Sequence, residues 1–428
     1  MKYKISTLGC KVNQFETQAL EAMLNSRNIF PADPDEAADV VIVNTCAVTA
    51  ESGRKSRQAI RRLMGENPGA VAAVCGCFSQ LAPEDIEELG AKVIHGSGDK
   101  KHFCDDIEKA LLEKQSAKWT DDPFSRRVFE ELSGGAVDGR ARAMLKIQDG
   151  CVNFCTYCII PYTRGRVRSL PPERCAAQAK LLAEQGFSEL VVTGIEIASY
   201  GADFTPKCTL ADAIEAIAAS AGDMRIRLGS LEPTVITEDF CKRLAAAGKI
   251  CDHFHLSLQS GCDEVLKAMN RKYDCARFYE AVELLRRYFP GCGLTADLIV
   301  GFPGETEEQH KKTLAFIEKC GFSSMHIFPY SARPNTKAAA MPGQLTHAEK
   351  AERAAEAQSV ADNMEKKFLK GCVGKILPVI FESEKDGLSV GHASNYAQVC
   401  ASGGQKRGVV ENVKITEAFD KMLVGIVV

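Results

Sequence analysis

The chain lacks long apolar runs and a strong net charge. No segment reaches the about 18 consecutive apolar residues of a membrane-spanning helix, so we expect no contact with a membrane. The opening residues, MKYKI, have the pattern of a strand and not of a charged and then apolar leader, so we expect no signal peptide and a cytoplasmic location. The formal net charge of −3 leaves any contact with nucleic acid to local basic patches.

Cysteine, by contrast, is abundant. The 428 residues include 18 cysteines, and the 45% hydrophobic and 25% charged residues are typical of a soluble globular protein with two or three domains. Disulfides are rare in the cytosol, so metal ligands and buried thiols must account for these cysteines.

Three cysteines share one loop, in the stretch GCVNFCTYCIIP at 150–161. Cys151, Cys155 and Cys158 are separated by three and then two residues. Three thiolates on one loop can hold three irons of a 4Fe–4S cube and leave the fourth iron open to a substrate or cofactor. A closed structural zinc site needs a fourth ligand, usually from a second cysteine pair, and no such pair follows. We therefore favour an iron–sulfur site over zinc.

The first 115 residues predict a Rossmann-like domain. Strand-like runs at 3–8, 39–44 and 70–75, with a short one near 92–95, alternate with helical patterns, which indicates a parallel sheet flanked by helices.

Cys10, Cys46 and Cys77 follow the first three strands. The carboxyl ends of parallel strands meet at one edge, so we expect these thiols to converge. Any one of them is more simply a small core residue, but three in equivalent loops favour a shared metal site. Cys75 competes with Cys77, although its place inside the apolar run points it toward the core.

The region 140–344 predicts a second α/β unit. Six strands, near 143–147, 189–193, 225–229, 253–258, 294–300 and 324–328, alternate with helices and fit a partial (β/α)6 barrel better than a closed barrel of eight.

The cysteine loop follows the first strand, at the end where such barrels bind ligands. Later loops at the same end offer further candidates: Gly194, Glu196, Ser230, Glu232 and Gln259. Each of these loops, taken singly, is equally well an ordinary turn or helix cap.

The rest of the chain predicts a linker at 116–139, with Phe124 and Phe129 as anchors, and a connecting helix at 345–370. Five short strands at 371–428 indicate a small antiparallel β-barrel of the kind that grips oligonucleotides, although a purely structural barrel has the same pattern.

Two basic clusters allow two interpretations each. One is on the helix predicted at 52–64 and holds Arg54, Lys55, Arg57, Arg61 and Arg62; the other holds Arg140, Arg142, Lys146, Arg164, Arg166 and Arg168. Such residues bind RNA phosphates or the carboxylate of a cofactor, or they pair with acids of the fold and with solvent.

The motifs resemble those of a known family. The C-x3-C-x2-C spacing with an aromatic before its last cysteine resembles the radical S-adenosylmethionine (SAM) enzymes, and LGCKVNQ, NTCAVT and GCFSQ at 8–14, 44–49 and 76–80 resemble the N-terminal methylthiotransferase domain. The tail is similar to the RNA-binding TRAM domain. The resemblance covers essentially the whole chain and is closest to the branch that modifies N6-threonylcarbamoyladenosine beside the anticodon of tRNA.

This resemblance implies two 4Fe–4S clusters and SAM. Cys151, Cys155 and Cys158 would hold the cluster that binds SAM, and Cys10, Cys46 and Cys77 an auxiliary cluster; no catalytic residues beyond these ligands are implied. Tyr157 would support the adenine of SAM, and the barrel loops named above would bind the rest of it. The glycine-glycine-glutamate motif common in radical SAM enzymes is absent, and Thr193-Gly194-Ile195 stands in its place. In RPNTK at 333–337 the chain departs from relatives that more often have glycine and proline beside the threonine.

The implied activity is that of a tRNA (N6-L-threonylcarbamoyladenosine-C2)-methylthiotransferase. Reduction of SAM would give a 5′-deoxyadenosyl radical that takes hydrogen from adenine C2, and the auxiliary cluster would supply sulfur that a second SAM methylates. The implied partners are the tRNA anticodon stem-loop and an electron donor such as flavodoxin or ferredoxin. Three alternatives stay open: methylthiolation of isopentenyladenosine in tRNA, methylthiolation of a ribosomal-protein aspartate, and a non-catalytic RNA-binding iron–sulfur protein.

Overall fold

A computed structural model of the chain describes residues 1–133 and 141–428. Residues 134–139 of the predicted linker, together with Arg140 of the second basic cluster, lie outside the described residues.

The N-terminal region forms a six-stranded sheet in which every paired strand is parallel to its neighbour, in the order β2-β1-β3-β4-β5-β6. The strands are β1 (Lys2–Thr7), β2 (Phe30–Pro31), β3 (Val40–Thr45), β4 (Val71–Gly76), β5 (Val93–His95) and β6 (Ala117–Trp119). The helices are α1 (Lys11–Asn25), α2 (Ala50–Glu66), α3 (Cys77–Leu81), α4 (Pro83–Glu88) and α5 (Lys100–Glu113). Alternate residues of β3 enter opposite cores, Val41 and Val43 on one face and Val40 and Ile42 on the other. The predicted Rossmann-like sheet is confirmed.

The central region contains the six predicted parallel strands and one short extra strand. They are β7 (Ala143–Asp149), β8 (Arg168–Ser169), β9 (Glu189–Gly194), β10 (Arg225–Leu228), β11 (His253–Gln259), β12 (Gly293–Val300) and β13 (Ser324–Pro329). The two-residue β8 was not predicted, and it pairs antiparallel with the end of β7. Bridges between Ile226 and Ile250 and between Leu231 and Leu256 join the sheet β8-β7-β9-β10 to the sheet β11-β12-β13. The strands therefore curve into the predicted partial barrel.

Helices separate these strands along the chain and follow the last one. They are α6 (Ile160–Arg164), α7 (Pro172–Glu184), α8 (Leu210–Ser220), α9 (Glu238–Ala247), α10 (Asp263–Ala268), α11 (Cys275–Tyr288), α12 (Glu307–Cys320) and α13 (His347–Lys370). Short 3₁₀ turns lie at Pro123–Ser125, Ile197–Ser199, Pro233–Val235 and Lys337–Ala340. Helix α13 does more than connect two regions, because Ala357, Ala361 and Met364, on one helical face, are part of the barrel core.

The C-terminal region is a closed five-stranded barrel in the order β14-β15-β16-β18-β17. Its strands are β14 (Ile376–Lys385), β15 (Leu388–Ala393), β16 (Gln398–Ser402), β17 (Val410–Phe419) and β18 (Met422–Val427). Neighbouring strands are antiparallel except β16 and β18, which are parallel. The five strands match those predicted from the sequence.

This small barrel docks beneath the amino ends of the central strands. Arg225 donates a hydrogen bond to the Pro378 carbonyl (2.8 Å), and Arg227 donates to the carbonyls of Ala393 (3.2 Å) and Ser394 (2.9 Å). The buried carboxylate of Glu189 holds both guanidinium groups, with N–O distances of 2.6 Å to Arg225 and 2.7 Å to Arg227. The C-terminal barrel therefore lies at the end of the central barrel opposite the cysteine loop.

Among the described residues, no helix has the length and apolar character needed to cross a membrane.

Replacing Glu189 tests this junction. In Glu189→Gln the guanidinium groups of Arg225 and Arg227 lose their buried counter-charge, which we expect to cost about 3–5 kcal/mol of unfolding free energy. Denaturant unfolding of the full chain measures the loss, and limited proteolysis reports release of the small barrel. Glu184→Gln, at an exposed position that pairs only at 4.0 Å with Lys180, should change the stability by less than about 0.5 kcal/mol. Equal stability of the two variants would contradict this account.

The same contact predicts a dependence on pH. Burial alone would raise the pKa of Glu189, but Arg227, Arg225 and Arg142 together lower it to about 2, against an ordinary value of 4.5. A carboxyl with a depressed pKa adds stability above its ordinary pKa and loses it as pH falls toward the depressed one. The stability difference between wild type and Glu189→Gln should therefore be full above pH 4.5 and shrink as pH approaches 2. Unfolding curves across this range measure the difference, and one that does not vary with pH would refute the assignment.

Candidate active site between two cysteine triads

Cys10, Cys46 and Cys77 meet at the carboxyl edge of the N-terminal sheet. They follow β1, β3 and β4, and Cys77 begins helix α3. Gly9 has φ +99°, and a β-carbon there would lie 2.7 Å from the Cys46 sulfur, so glycine is what lets the first loop approach the second cysteine. Asn13 ties these loops together by donating to the carbonyls of Leu8 (2.8 Å) and Thr45 (2.9 Å).

The structure separates Cys77 from its competitor Cys75. Cys75 is fully buried in the core beneath the sheet, where burial raises the pKa of its thiol to about 12. Cys77 instead accepts a hydrogen bond of 3.3 Å from Nε of Arg164, a residue of the central region. The thiol that lies with Cys10 and Cys46 is therefore that of Cys77.

The second triad lies on the loop after β7, whose bend requires glycine. Gly150 has φ +76°, and a β-carbon there would lie 1.8 Å from the Arg166 carbonyl oxygen. The backbone N–H of Cys151 then donates to the Gly165 carbonyl (3.0 Å), and that of Cys158 donates to the Cys155 carbonyl (2.9 Å). These bonds hold the three thiols on one turn.

The segment after α10 supports this loop from the other side of the barrel. Thr156 donates through its N–H to the Met269 carbonyl (3.0 Å) and through its hydroxyl to the Ala268 carbonyl (2.9 Å). The Asn270 amide donates to the carbonyls of Asn153 (3.2 Å) and Phe154 (3.0 Å). The loop conformation therefore depends on residues more than a hundred positions away in the chain.

Both triads fit a polynuclear cluster better than a single ion. Only two groups of His, Cys, Asp and Glu in the described parts of the chain have ligand atoms all within 4.8 Å of one another, and neither contains a cysteine. The triads are thus too widely spaced for a single-ion zinc site. A cavity of about 160 Å³ borders Cys155 and Cys158 on the side of Phe154 and Tyr162. Burial raises the pKa of the Cys151 and Cys158 thiols to about 12, so metal binding would have to displace their protons.

Several of the residues predicted to bind SAM lie beside this loop. Glu232 accepts a hydrogen bond of 3.0 Å from Asn153, inside the cysteine loop. The backbone N–H of Glu196 donates to Gln148 of β7 (2.8 Å), and burial, with the charge of Glu232, raises the pKa of Glu196 to about 7. Gly194 is tightly packed, since a β-carbon there would lie 2.8 Å from the Gln148 carbonyl oxygen.

The other three residues predicted to bind SAM are Gln259, Tyr157 and Ser230. Gln259 ends β11 with φ +67°, and Tyr157 packs against an apolar cluster that includes Phe302 and Tyr330. Ser230 is exposed on the loop after β10.

Arg271 is a site residue that the sequence did not single out. Its guanidinium donates to the Cys155 sulfur (3.1 Å) and lies 3.6 Å from the Glu232 carboxylate. The signal was the short loop between α10 and α11, which holds the consecutive polar residues Asn270, Arg271 and Lys272 but has no glycine or cysteine to draw attention. Arg271 joins the cysteine loop to the loop after β10.

A buried ionic network connects the two triads. Glu16 of α1 accepts from Arg164 (3.0 Å to Nη2) and from Lys146 (2.9 Å), and Lys146 also pairs with Asp149 (2.7 Å). Burial alone would raise the pKa of Glu16, but Arg164 and Lys146 hold it well below its ordinary range. Arg164 follows Cys158 by six residues in the sequence and contacts both helix α1 and Cys77. It therefore joins the segment of one triad to a thiol of the other.

Most residues of the two basic clusters pair with acids. On α2, the partners are Glu51 for Arg54 and Lys55, Asp85 for Arg57, and Glu66 for Arg62. In the second cluster, Arg142 pairs with Glu382, Lys146 and Arg164 with Glu16, and Arg168 with Asp149. Arg166 is exposed. The interpretation as ion pairs of the fold holds for these paired residues.

Comparisons with known proteins agree with this arrangement. Residues 2–96 match the uncharacterized protein family UPF0004, and residues 145–317 match the radical SAM superfamily. A threonylcarbamoyladenosine tRNA methylthiotransferase of Bacillus subtilis is 38% identical over 96% of this chain and 93% of its own length. The enzyme of that name from Thermotoga maritima is 36% identical over 89% and 86%. A tRNA-2-methylthio-N(6)-dimethylallyladenosine synthase of Pelotomaculum thermopropionicum is 33% identical over 99% and 97%.

A solved structure shows the same fold at low sequence identity. It is a radical SAM methyltransferase from Kitasatospora setae with cobalamin and a [4Fe-4S] cluster bound, and it covers 91% of this chain and 80% of its own, with a TM-score of 0.60 and 15% identity. Because the curated relatives are more than 30% identical over nearly the whole chain, the protein belongs to the radical SAM tRNA methylthiotransferases, in the threonylcarbamoyladenosine branch.

Proposed function

We propose that the protein inserts a methylthio group at C2 of N6-threonylcarbamoyladenosine next to the anticodon of tRNA. The observation that carries the proposal is the pairing of two cysteine triads through Arg164, which follows one triad in sequence and donates to a thiol of the other. A radical-forming site and a sulfur-donating site must both reach the same carbon atom, and this contact keeps them next to each other.

The cysteines act as cluster ligands in this proposal. Cys151, Cys155 and Cys158 hold the cluster that binds SAM, and Cys10, Cys46 and Cys77 hold the auxiliary cluster. When bound, these groups supply one-electron chemistry at an unactivated carbon, and sulfur, which amino-acid side chains cannot provide.

The barrel loops orient SAM beside the first triad. Gly194 lets the backbone approach it, and Glu196, Ser230, Glu232 and Gln259 offer polar atoms to its ribose and methionyl group. Arg271 fixes Glu232 and the Cys155 thiol relative to each other. Tyr157 supports the adenine from within its apolar cluster.

The RNA partner in this proposal is the anticodon stem-loop. Exposed rings of Phe154 and Tyr162 lie at the cavity beside Cys155 and Cys158, and Phe124 of the linker region stacks on Phe154 with a centroid distance of 6.2 Å. Aromatic surfaces of this kind stack on unpaired bases. The C-terminal TRAM-like barrel adds a second RNA contact, and flavodoxin or ferredoxin supplies electrons in the cytoplasm.

Domain boundaries complete the proposal. The methylthiotransferase domain spans 1–115, the radical SAM domain 140–344 and the TRAM-like domain 371–428, with a linker at 116–139 and a helix at 345–370. In the structure, edge strand β6 (Ala117–Trp119) extends the first sheet into the linker segment, and Phe129 packs against the barrel core.

Iron content tests the two-cluster assignment. Anaerobically reconstituted protein should hold about eight irons, and the triple variant Cys10→Ala, Cys46→Ala, Cys77→Ala about four, because each triad binds one cube. Iron and sulfide analysis measures both. The control Cys75→Ala, at a core position, should keep about eight irons. A value of four for the intact protein would rule out the two-cluster mechanism.

Nucleoside analysis tests the substrate. In tRNA from a strain that lacks this gene, we expect the methylthio form of threonylcarbamoyladenosine to disappear and its unmethylthiolated precursor to accumulate. Wild-type protein should restore the modification, and Cys155→Ala should not, because it lacks one ligand of the first triad. Mass spectrometry of digested tRNA measures both nucleosides. Loss of the methylthio form of isopentenyladenosine instead would support the second candidate, which is favoured by the dimethylallyladenosine relatives at 33% identity.

A further inference from the structure

Arg333 is a buried arginine without an acidic partner. Only 9% of it is exposed, and its Nε has no hydrogen-bond partner among the described residues. Burial lowers the pKa of Arg333, the nearby Cys46 thiol raises it, and the nearby charge of Arg57 lowers it further. An isolated buried charge costs several kcal/mol unless something compensates it. This position therefore calls for an anion that the protein side chains do not supply.

The segment around Arg333 is seated against the auxiliary triad. It follows β13, and the hydroxyl of Ser331 accepts a hydrogen bond of 3.2 Å from the N–H of Ala50, at the start of α2. A β-carbon at Gly53 of the same helix would lie 3.8 Å from an Arg333 guanidinium nitrogen. Ser56, one turn further along, hydrogen-bonds to the backbone of Cys46. The guanidinium is thus packed on the first turn of α2, and the next turn of this helix contacts the backbone of Cys46 through Ser56.

The backbone around Arg333 is compatible with this placement. Asn335 has φ +67°, a left-handed conformation that asparagine tolerates better than most residues. Thr336 donates through its hydroxyl to the Arg333 carbonyl (2.8 Å), and the N–H of Ala338 donates to the carbonyl of Thr156 in the cysteine loop (2.8 Å). These bonds tie the segment that carries Arg333 both to itself and to the cysteine loop.

We propose that Arg333 is a positioning residue of the auxiliary site, supplying positive charge opposite the anionic iron–sulfur group that Cys46 helps to hold. The inference rests on the proposed function, since it takes Cys10, Cys46 and Cys77 as cluster ligands. Three thiolates around a 4Fe–4S core give the assembly a net negative charge, and reduction makes it more negative. Arg164 contacts Cys77 from a different element of the central region, so two arginines of the barrel complete a site whose ligands belong to the N-terminal sheet.

The test uses a parent protein in which only the auxiliary site is intact. This parent is the full chain with Cys151→Ala, Cys155→Ala and Cys158→Ala, and it is reconstituted anaerobically. Adding Arg333→Gln should make an iron chelator remove the cluster at least about fivefold faster, because a charged contact is lost. The midpoint potential should become more negative, because the reduced cluster loses its counter-charge. Visible absorbance gives the rate of loss, and a titration followed by electron paramagnetic resonance gives the potential. Arg333→Lys should keep most of both properties.

Two controls separate this role from damage to the fold. Arg61→Gln removes the same charge from an exposed position of α2 and should change neither the rate nor the potential. The cluster-free Arg333→Gln protein should melt no lower than its cluster-free parent, because an unpaired buried charge has been removed. A lower melting temperature would overturn the proposal by showing that Arg333 serves the fold.

The remaining outcomes are equally decisive. Unchanged chelation and potential in Arg333→Gln would refute the proposal. A second outcome would also refute it. If Arg333→Gln leaves the cluster unchanged but weakens binding of a stem-loop that contains threonylcarbamoyladenosine more than binding of an unmodified stem-loop, the anion that Arg333 binds is the carboxylate of the nucleoside. A parent variant that binds no iron would refute the ligand set of the proposed function itself, and the role of Arg333 with it.

Discussion

The buried contact between Glu16 and Arg164 is the interaction on which the arrangement of the two triads depends. It joins the helix after the first strand to the short helix after the cysteine loop, with both side chains fully buried. A buried ion pair adds little net stability, because desolvation of the two charges offsets their attraction. Its value is geometric: a shift of either helix would leave an unpaired charge inside the protein. The distance between the two triads is thereby held to one value.

The same network is richer in cations than in acids. Lys100, Lys146, Arg164 and Arg168 surround the two carboxylates Glu16 and Asp149. Arg271 adds a cation at Cys155, and Arg333 adds one near Cys46. Clusters held by thiolates are anionic, so a cationic interior favours them over the protonated, metal-free thiols. The barrel therefore contributes electrostatics to both sites, although one set of ligands lies outside it.

Most of the fold and the ligand candidates follow from local patterns in the sequence. The apolar residues of β3 (VVIVNT) and of the first half of β7 (AMLKIQD) are local signals, so both strands were predicted, with Cys46 directly after β3. Strands β2, β6 and β8 have two or three residues each, too few for any periodicity. Arg271 and Arg333 act through contacts with distant segments, and an arginine in a loop has the same local pattern whether it is exposed or buried. Which distant residues these two arginines contact is decided only when the chain folds.

The position of the C-terminal barrel limits how RNA can be held. That barrel docks at Arg225 and Arg227, at the amino ends of the central strands, whereas the loop of Cys151, Cys155 and Cys158 follows the carboxyl end of β7. The strand Ala143–Asp149 has seven residues, so the two ends are roughly 20–25 Å apart. A single nucleoside cannot contact both ends. The RNA contact proposed for the small barrel therefore requires a substrate that extends well beyond the one nucleoside bound at the cysteine loop.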